Sequence, residues 1–285
     1  MLSVIVINHN TPEITRKCLD HIFKSKNIDF EVILINNTPN DKFTNSKIKI
    51  INNKTPLGFA ANNNLAMKET RGDKILFLNS DAFVYPDTLA KCYAQDFDIL
   101  GCQLLNQDLS VQNSWGYYPT LRRIFQFMIF VDNFPIINRY IDTIHIRNKE
   151  RFRKTKQVDW IMGAFVMLKR EVFEKTHGFD ENFFMYGEEV EFQYRANKLG
   201  FRSWYFPEVK CVHLQGASIK SLREMFIGEM KGYVYWFKKY NSKFEQILLR
   251  LTLILGCLIR IPAWAVWGKW DLVKAYVEVL PQLFK

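Results

Sequence analysis

The first 81 residues alternate short apolar runs with helical patterns, and three of the four runs stop abruptly in small polar residues. Leu2-Ser3-Val4-Ile5-Val6-Ile7 is rich in β-branched residues and long enough for a buried strand. Asn8-His9-Asn10-Thr11-Pro12 breaks it, with Thr11 placed as a helix N-cap and Pro12 at the first helical position. Ile14, Cys18, Leu19, Ile22 and Phe23 then recur at helical spacing. Phe30 to Ile35 is a second strand, ended by Asn36 and Asn37, and Ile48 to Ile51 is a third. Gly58 to Met67 starts another helix, and Lys74 to Leu78 is a fourth strand, ended by Asn79-Ser80-Asp81. Strand, helix, strand, strand, helix, strand is the order of an α/β domain with a mostly parallel central sheet flanked by helices.

Ligands of open α/β sheets bind beyond the carboxyl ends of the strands. Asn and Asp also make good turns, so one polar end alone says little; three on the same edge point to a site. That site does not belong to a dinucleotide-binding or P-loop protein, because the sequence has no GxGxxG after the first strand and no GxxxxGK[ST] anywhere. A phosphorylated ligand then needs another source of positive charge. A divalent cation on Asp81, directly after a buried strand, supplies it.

A second cluster lies downstream, where an aromatic run (Phe183 to Tyr186) ends in Gly187, and Glu188, Glu189 and Glu191 follow. Helical patterning resumes through Phe192 and Arg195. Neighbouring carboxylates raise one another's pKa, so in a cleft one of them is tuned as a general base. On an exposed first turn the same acids would simply suit the positive end of the helix dipole.

The order and spacing of these stretches resemble the family 2 glycosyltransferases of the GT-A fold, especially their rhamnosyltransferase-like branch. The resemblance covers about residues 1–220. It rests on Val4 to Asn10, Ile35-Asn36-Asn37, Leu57-Gly58-Phe59 with Asn62 to Asn64, and Phe77 to Asp81. Asp159-Trp160-Ile161-Met162-Gly163-Ala164, Gly178-Phe179-Asp180-Glu181, Glu188 to Glu191, His213 and Ser218 complete it.

The resemblance implies a GT-A nucleotide-diphospho-sugar transferase and assigns roles residue by residue. His9, Asn10 and Asn36 would hold the nucleotide base and ribose; many relatives have Asp where this chain has Asn36. Gly58, Asn64 and Asn79 would lie along the donor, although Asn64 also reads as a turn or capping residue. Asn79-Ser80-Asp81 stands where relatives carry a DxD motif, with only the last acid kept. Asp81 would bind the Mg²⁺ or Mn²⁺ that bridges the donor diphosphate, and His213 would complete that site unless it is structural. Glu189 would be the catalytic base of an inverting displacement, and Glu188 either a positioning group or the base itself, since relatives usually have Asp at the position of Glu189. Glu191 would be structural. Trp160 and Gly163 would line the acceptor cleft, Trp160 reading equally well as a core aromatic.

The implied reaction moves a sugar from dTDP-rhamnose or a UDP-sugar to a lipid-linked or polysaccharide acceptor of a bacterial surface polysaccharide. Two other classes remain open. A sugar nucleotidyltransferase shares the architecture but usually has a Gly-rich basic first loop, which His9-Asn10-Thr11 is not. A non-catalytic binding or assembly subunit would explain why Asn36, Asn79 and Glu189 depart from the common pattern.

The rest of the chain is basic and apolar. The formal charge is +10 and the pI about 9.3, which suits nucleic acid, anionic lipid or a phosphorylated substrate. No nucleic-acid motif accompanies it. Residues 117–156 interleave Arg122, Arg123 and Arg139 with Phe125, Phe127 and Tyr140, as an insert or acceptor region within a 1–220 transferase domain. Residues 221–285 form a helical appendage, with one helix from Leu222 to Tyr240. Phe244 to Trp267 is apolar but interrupted by Glu245, Arg250 and Arg260. It reads as an interfacial hairpin broken at Pro262, with Trp264, Trp267 and Trp270 near lipid headgroups. A helix pair packed on the domain or in a homodimer interface is the alternative. Gly268 to Leu283 reads as a last amphipathic helix. Five scattered cysteines indicate neither disulfides nor zinc, and the N-terminus does not read as a secretory signal. The expected location is cytoplasmic, peripheral at the inner face of the cytoplasmic membrane.

Overall fold

A computed structural model describes residues 1–134, 136–183, 187–215 and 222–284. Phe184 to Tyr186 and Ser218, on which parts of the sequence reading fall, lie outside the described residues. The chain divides into two compact units, Met1–Trp115 with Lys149–Ser218 and Gly116–Asn148 with Ile219–Lys285. Residues 117–148 of the basic insert therefore group with the C-terminal helices, while 149–156 stay with the transferase domain in which the sequence places the whole insert.

The first unit begins β1 (Leu2–Asn8), α1 (Pro12–Phe23), β2 (Phe30–Asn36), β3 (Ile48–Asn52), α2 (Phe59–Met67) and β4 (Lys74–Asn79). It continues through β5 (Ala82–Val84), α3 (Thr88–Tyr93), β6 (Ile99–Leu105) and β7 (Trp115–Gly116). The chain forms α4 (Leu121–Met128) in the second unit, then returns with β8 (Lys156–Val158), β9 (Trp160–Ile161) and β10 (Phe165–Lys169). The first unit closes with α5 (Arg170–Thr176), α6 (Glu188–Lys198) and β11 (Ser203–His213). The second unit adds α7 (Leu222–Tyr240), α8 (Lys243–Val266) and α9 (Trp270–Val279).

The first unit is built on one nine-stranded sheet in the order β3-β2-β1-β4-β10-β6-β11-β5, with β8 paired to β11. Strands β3, β2, β1 and β4 are mutually parallel, and β10 is antiparallel to both β4 and β6. The interior of β1, β2 and β4 is buried almost without interruption, which is why their sequences are continuous apolar runs and not alternating ones. Helix α1 buries Cys18, Leu19 and Ile22. Thr11 stands at its N-cap position but makes no side-chain cap bond, so Pro12 at the start of the helix sets its entry.

Register carries the polar strand ends to one edge. Asn8 pairs with Asn36, Asn36 with Asn52, and Ile7 with Asn79. At the other end of the sheet, β11 runs antiparallel to β5 and sets His213 opposite Ala82, the residue after Asp81.

In the second unit, α8 is one helix of 24 residues, and the expected break at Pro262 does not occur. Its start is fixed by a capping box in which Ser242 Oγ accepts from the Glu245 amide and Glu245 accepts from the Ser242 amide. Pro262 sits near the C-terminal end, where a missing N–H removes a single bond. The two arginines that interrupt the apolar run are absorbed by the protein. Arg250 donates to Leu283 O (2.9 Å). Arg260 is buried on the inner face, donates to Met128 O (2.9 Å) and Tyr276 Oη (3.2 Å), and lies over the Phe127 and Phe130 rings (4.3 and 4.1 Å).

A titrating pair stabilises the same unit. His145 Nε2 lies 2.6 Å from Glu229 Oε1. Burial alone would depress the His145 pKa, but the charge of Glu229 and its hydrogen bond outweigh burial and raise it. Burial alone would raise Glu229; the charge of His145 and the bonds from His145 and Tyr233 overcome it and lower the value. The His145 contribution is therefore full below the ordinary histidine value and lost as pH rises through its raised pKa. The Glu229 contribution is full above the ordinary glutamate value and lost as pH falls through its lowered one. The gap in melting temperature between wild type and His145→Gln is expected to shrink steadily as pH rises above 6.5; a gap independent of pH would show that the pair is not ionised.

Candidate functional site

The polar edge of the sheet is an amide network. Asn8 Nδ2 donates to Asn36 Oδ1 (3.0 Å), and Asn36 Nδ2 donates to Asn52 Oδ1 (2.9 Å) and Asp41 O (2.7 Å). Asn36, buried and bonded at both ends, thus organises the strand ends from within. Asn37 continues the network: it donates to Leu57 O and accepts from Asn53 Nδ2 (2.8 Å) and the Leu57 amide. This ties β2 to the turn before Gly58, which stands at the N-cap of α2. At the rim lie the half-buried His9 and the exposed Asn10, whose backbone is left-handed (φ 56°). His9 Nδ1 is 3.4 Å from Asn37 Nδ2.

Asp81 and His213 meet, with Asp81 Oδ1 3.3 Å from His213 Nε2 and each residue 4% exposed. Gln112 decides how the imidazole faces. Its Nε2 donates to His213 O (2.6 Å), so its Oε1, 3.0 Å from His213 Nδ1, must act as acceptor. Nδ1 then carries a proton, and Nε2 faces a carboxylate oxygen. A proton or a cation between Nε2 and that oxygen would satisfy both. The site supplies one carboxylate and one imidazole; among the described residues no group of three His, Cys, Asp or Glu side chains gathers around a common point.

The acidic cluster opens α6 after Gly187, whose left-handed backbone (φ 103°) makes the turn. Its three acids separate into distinct environments. Glu191 is fully buried and bound by Arg195 through two bonds (2.8 and 2.9 Å), while Arg195 also holds Gly178 O (2.7 Å). That pair ties the helix to the preceding turn. Among the described residues, Glu188 and Glu189 have no such cation, and the Oε2 atom of each is buried without a hydrogen-bond partner. Burial pushes the Glu188 carboxyl well up, and the neighbouring Glu189 charge adds to it. Burial also raises Glu189, against the opposing pull of backbone amides that include Gly163.

Gly163 lies against Glu189: a Cβ at this position would stand 3.8 Å from Glu189 Cβ and 3.5 Å from Phe59 Cζ. Its neighbour Ala164 accepts from the Asn79 amide (3.1 Å). One loop therefore touches the end of β4, the start of α2 and the start of α6. Gln193 fixes that loop's approach, since its amide donates to Ile161 O (2.8 Å) and accepts from the Ile161 amide (2.9 Å).

Two residues expected at the ligand make contacts within the protein. Trp160 is 9% exposed and belongs to the core. The amide of Asn64 is used by the turn ahead of α6: it donates to Phe179 O (2.9 Å) and Glu181 Oε1 (2.8 Å) and accepts from the Phe179 amide (2.9 Å). Sequence reasoning did not single out Gln112, Gln193 or Asn52. Asn52-Asn53 carries the same strand-end signature as the other three and marks a fourth polar end. The glutamines have no local signal, because their partners are 101 and 32 residues away in sequence.

A mostly parallel central sheet flanked by helices, in this strand order, is the GT-A glycosyltransferase architecture. The fold superposes on that of GalNAc-T7 solved with UDP, GalNAc and Mn²⁺, with a TM-score of 0.61 at 15% identity over 87% of this chain and 49% of that one. The chain belongs to glycosyl transferase family 2, whose sequence profile matches residues 3–191. It is 27% identical over 241 residues to the O-antigen biosynthesis protein RfbC of Myxococcus xanthus, covering 76% of this chain and 17% of that protein. It is 29% identical over 175 residues to the rhamnosyltransferase WbbL of Escherichia coli K12, covering 55% of this chain and 60% of that protein. The chain thus spans less than two thirds of these relatives' length.

Proposed function

We propose that the chain is a metal-dependent, inverting glycosyltransferase with Glu189 as its base. The donor is a nucleotide-diphosphate sugar, dTDP-rhamnose or a UDP-sugar, and the acceptor a lipid-linked or polysaccharide chain at the inner face of the cytoplasmic membrane. One observation carries this reading: Glu189 is half-buried, its Oε2 is buried without a hydrogen-bond partner among the described residues, burial raises its pKa, and it is set against the backbone of Gly163. Such a group takes the proton of the acceptor hydroxyl as that oxygen bonds to the anomeric carbon. The bond from that carbon to the diphosphate breaks with its electron pair leaving on the diphosphate, and attack from the opposite face inverts the centre. The rhamnosyltransferase and O-antigen relatives support the donor and product class.

Asp81 Oδ1 and His213 Nε2 suit a divalent cation that would place positive charge against the departing diphosphate. An imidazole beside a carboxylate favours Mn²⁺ over Mg²⁺. Gln112 would hold His213 in the tautomer that can ligate. Asp81→Ala and His213→Ala are expected to abolish the Mn²⁺-dependent part of nucleotide binding in calorimetry, and Gln112→Leu to weaken it by roughly 10-fold. Identical affinities with and without Mn²⁺ in the wild type would remove the metal from this scheme. For the acceptor, the second unit offers a cavity of about 380 Å³ lined by Tyr117, Arg122, Arg123, Gln126, Tyr140 and Asp142. Paired guanidinium groups with aromatic rings suit the phosphate and sugar of a lipid-linked acceptor.

A further inference from the structure

The +10 charge is unevenly placed. The second unit contains 15 of the 39 Lys and Arg residues but only 7 of the 29 Asp and Glu residues, a net charge of +8. The same unit holds α8, whose outward face inverts the usual rule for a surface helix. Every exposed residue from Phe244 to Val266 is apolar. Phe244, Ile247, Leu251, Leu255, Leu258 and Val266 are 46% to 83% exposed and recur at helical spacing along one stripe. The strong cation, Arg260, is on the opposite face, buried with Leu249, Leu253 and Cys257. Exposed lysines flank the stripe, Lys243 at the start and Lys269 just past the end.

We propose that this face of α8 rests on an anionic lipid surface, with the helix lying in the plane of the interface. The proposal rests on the reading that the protein works at a membrane and deepens it by naming the contact face and its orientation. The occupant follows from charge: an apolar stripe inside a unit of +8 fits negative headgroups around an acyl boundary. A second copy would bring two units of +8 together. The orientation follows from packing. At 24 residues α8 is long and apolar enough to cross a bilayer. Its inner face, however, packs on α4 and α9, which carry Arg122 and Arg123, and Asp271, Lys274 and Glu278. A spanning α8 would draw these charges into hydrocarbon; an in-plane α8 leaves them on the water side.

The test uses the full chain and vesicles of equimolar phosphatidylglycerol and phosphatidylcholine, compared with phosphatidylcholine alone. Wild type is expected to co-sediment with the anionic vesicles and to be released by salt. Leu251→Glu with Leu258→Glu should lower partitioning by at least about 10-fold. Leu109→Glu, an exposed apolar position in the first unit, should not. Nucleotide-sugar binding, which tests the transferase reading separately, should be unchanged in the double variant. Nitroxide labels at Phe244→Cys, Leu255→Cys and Val266→Cys should report one common shallow depth. Wild type that ignores anionic vesicles, or a double variant that binds like wild type, overturns the proposal. A Leu255 label at the bilayer midplane overturns the in-plane orientation. A dimer in light scattering that the double variant dissolves would assign the face to a second copy instead.

Discussion

Glu189→Gln is expected to lower donor turnover by roughly 10²- to 10⁴-fold while nucleotide binding is retained. The amide keeps the size of the side chain and its contact with Gly163 but cannot accept the acceptor's proton. The pH profile supplies a second readout. A general base must be ionised, and burial raises the Glu189 pKa above its ordinary 4.5, so activity should rise with pH through an inflection above that value. Glu188→Gln separates the two carboxylates. If Glu188 is a positioning group, its amide variant retains substantial turnover and keeps the inflection, because Glu188, raised further than Glu189, is uncharged when Glu189 ionises. Should Glu188→Gln be as damaged as Glu189→Gln with the inflection abolished, Glu188 is the base.

Glu188 also carries a stability signature. Its pKa is raised in the fold, so its contribution is present below the ordinary value of 4.5 and lost as pH rises through the raised one. Glu188→Gln should therefore melt higher than wild type at pH 8 and level with it near pH 4. A buried acid kept at the expense of stability is what a functional site, and not a structural one, would retain.

Arg260→Met is expected to destabilise the second unit by about 3–5 kcal/mol in urea unfolding. Methionine fills much of the volume, so the loss reports the charge and its bonds. Met128 O loses its guanidinium donor and Tyr276 Oη loses a partner. Glu229 loses a cation that helps hold its pKa low. The Phe127 and Phe130 rings also lose the group stacked on them. A change below about 1 kcal/mol would mean the arginine is dispensable and that water or Glu229 rearrangement replaces it.

The α/β architecture was legible because its signals are local. Buried parallel strands are continuous apolar runs, and Asn8, Asn36 and Asn79 mark where each one ends. The family resemblance held for the same reason, since its motifs are short and sit at those ends. What was not legible depends on long-range partners. Pro262 and two arginines looked like breaks in an apolar stretch. The arginines are satisfied by carbonyls and rings far away in sequence, and the proline falls late enough in α8 for the helix to continue. Trp160 and Asn64 stand in motifs of the resemblance, yet a tryptophan's burial and an amide's choice of partner are set by tertiary packing. The chemistry of residues 188–191 was visible as a charge cluster; only Arg195 and Gly163, placed by the fold, separate Glu191 from Glu189.

The amides at the strand ends form a chain with a direction. Thr15 Oγ1 donates to Asn8 Oδ1, Asn8 Nδ2 to Asn36 Oδ1, and Asn36 Nδ2 to Asn52 Oδ1. Asn8 and Asn36 each accept on one side and donate on the other, so neither amide can flip without losing both bonds. An aspartate at 36 could still accept from Asn8, but it would leave Asp41 O and Asn52 Oδ1 facing an acceptor. Residue 36 is thus matched to residue 52, and a change at one calls for a change, or a turned amide, at the other.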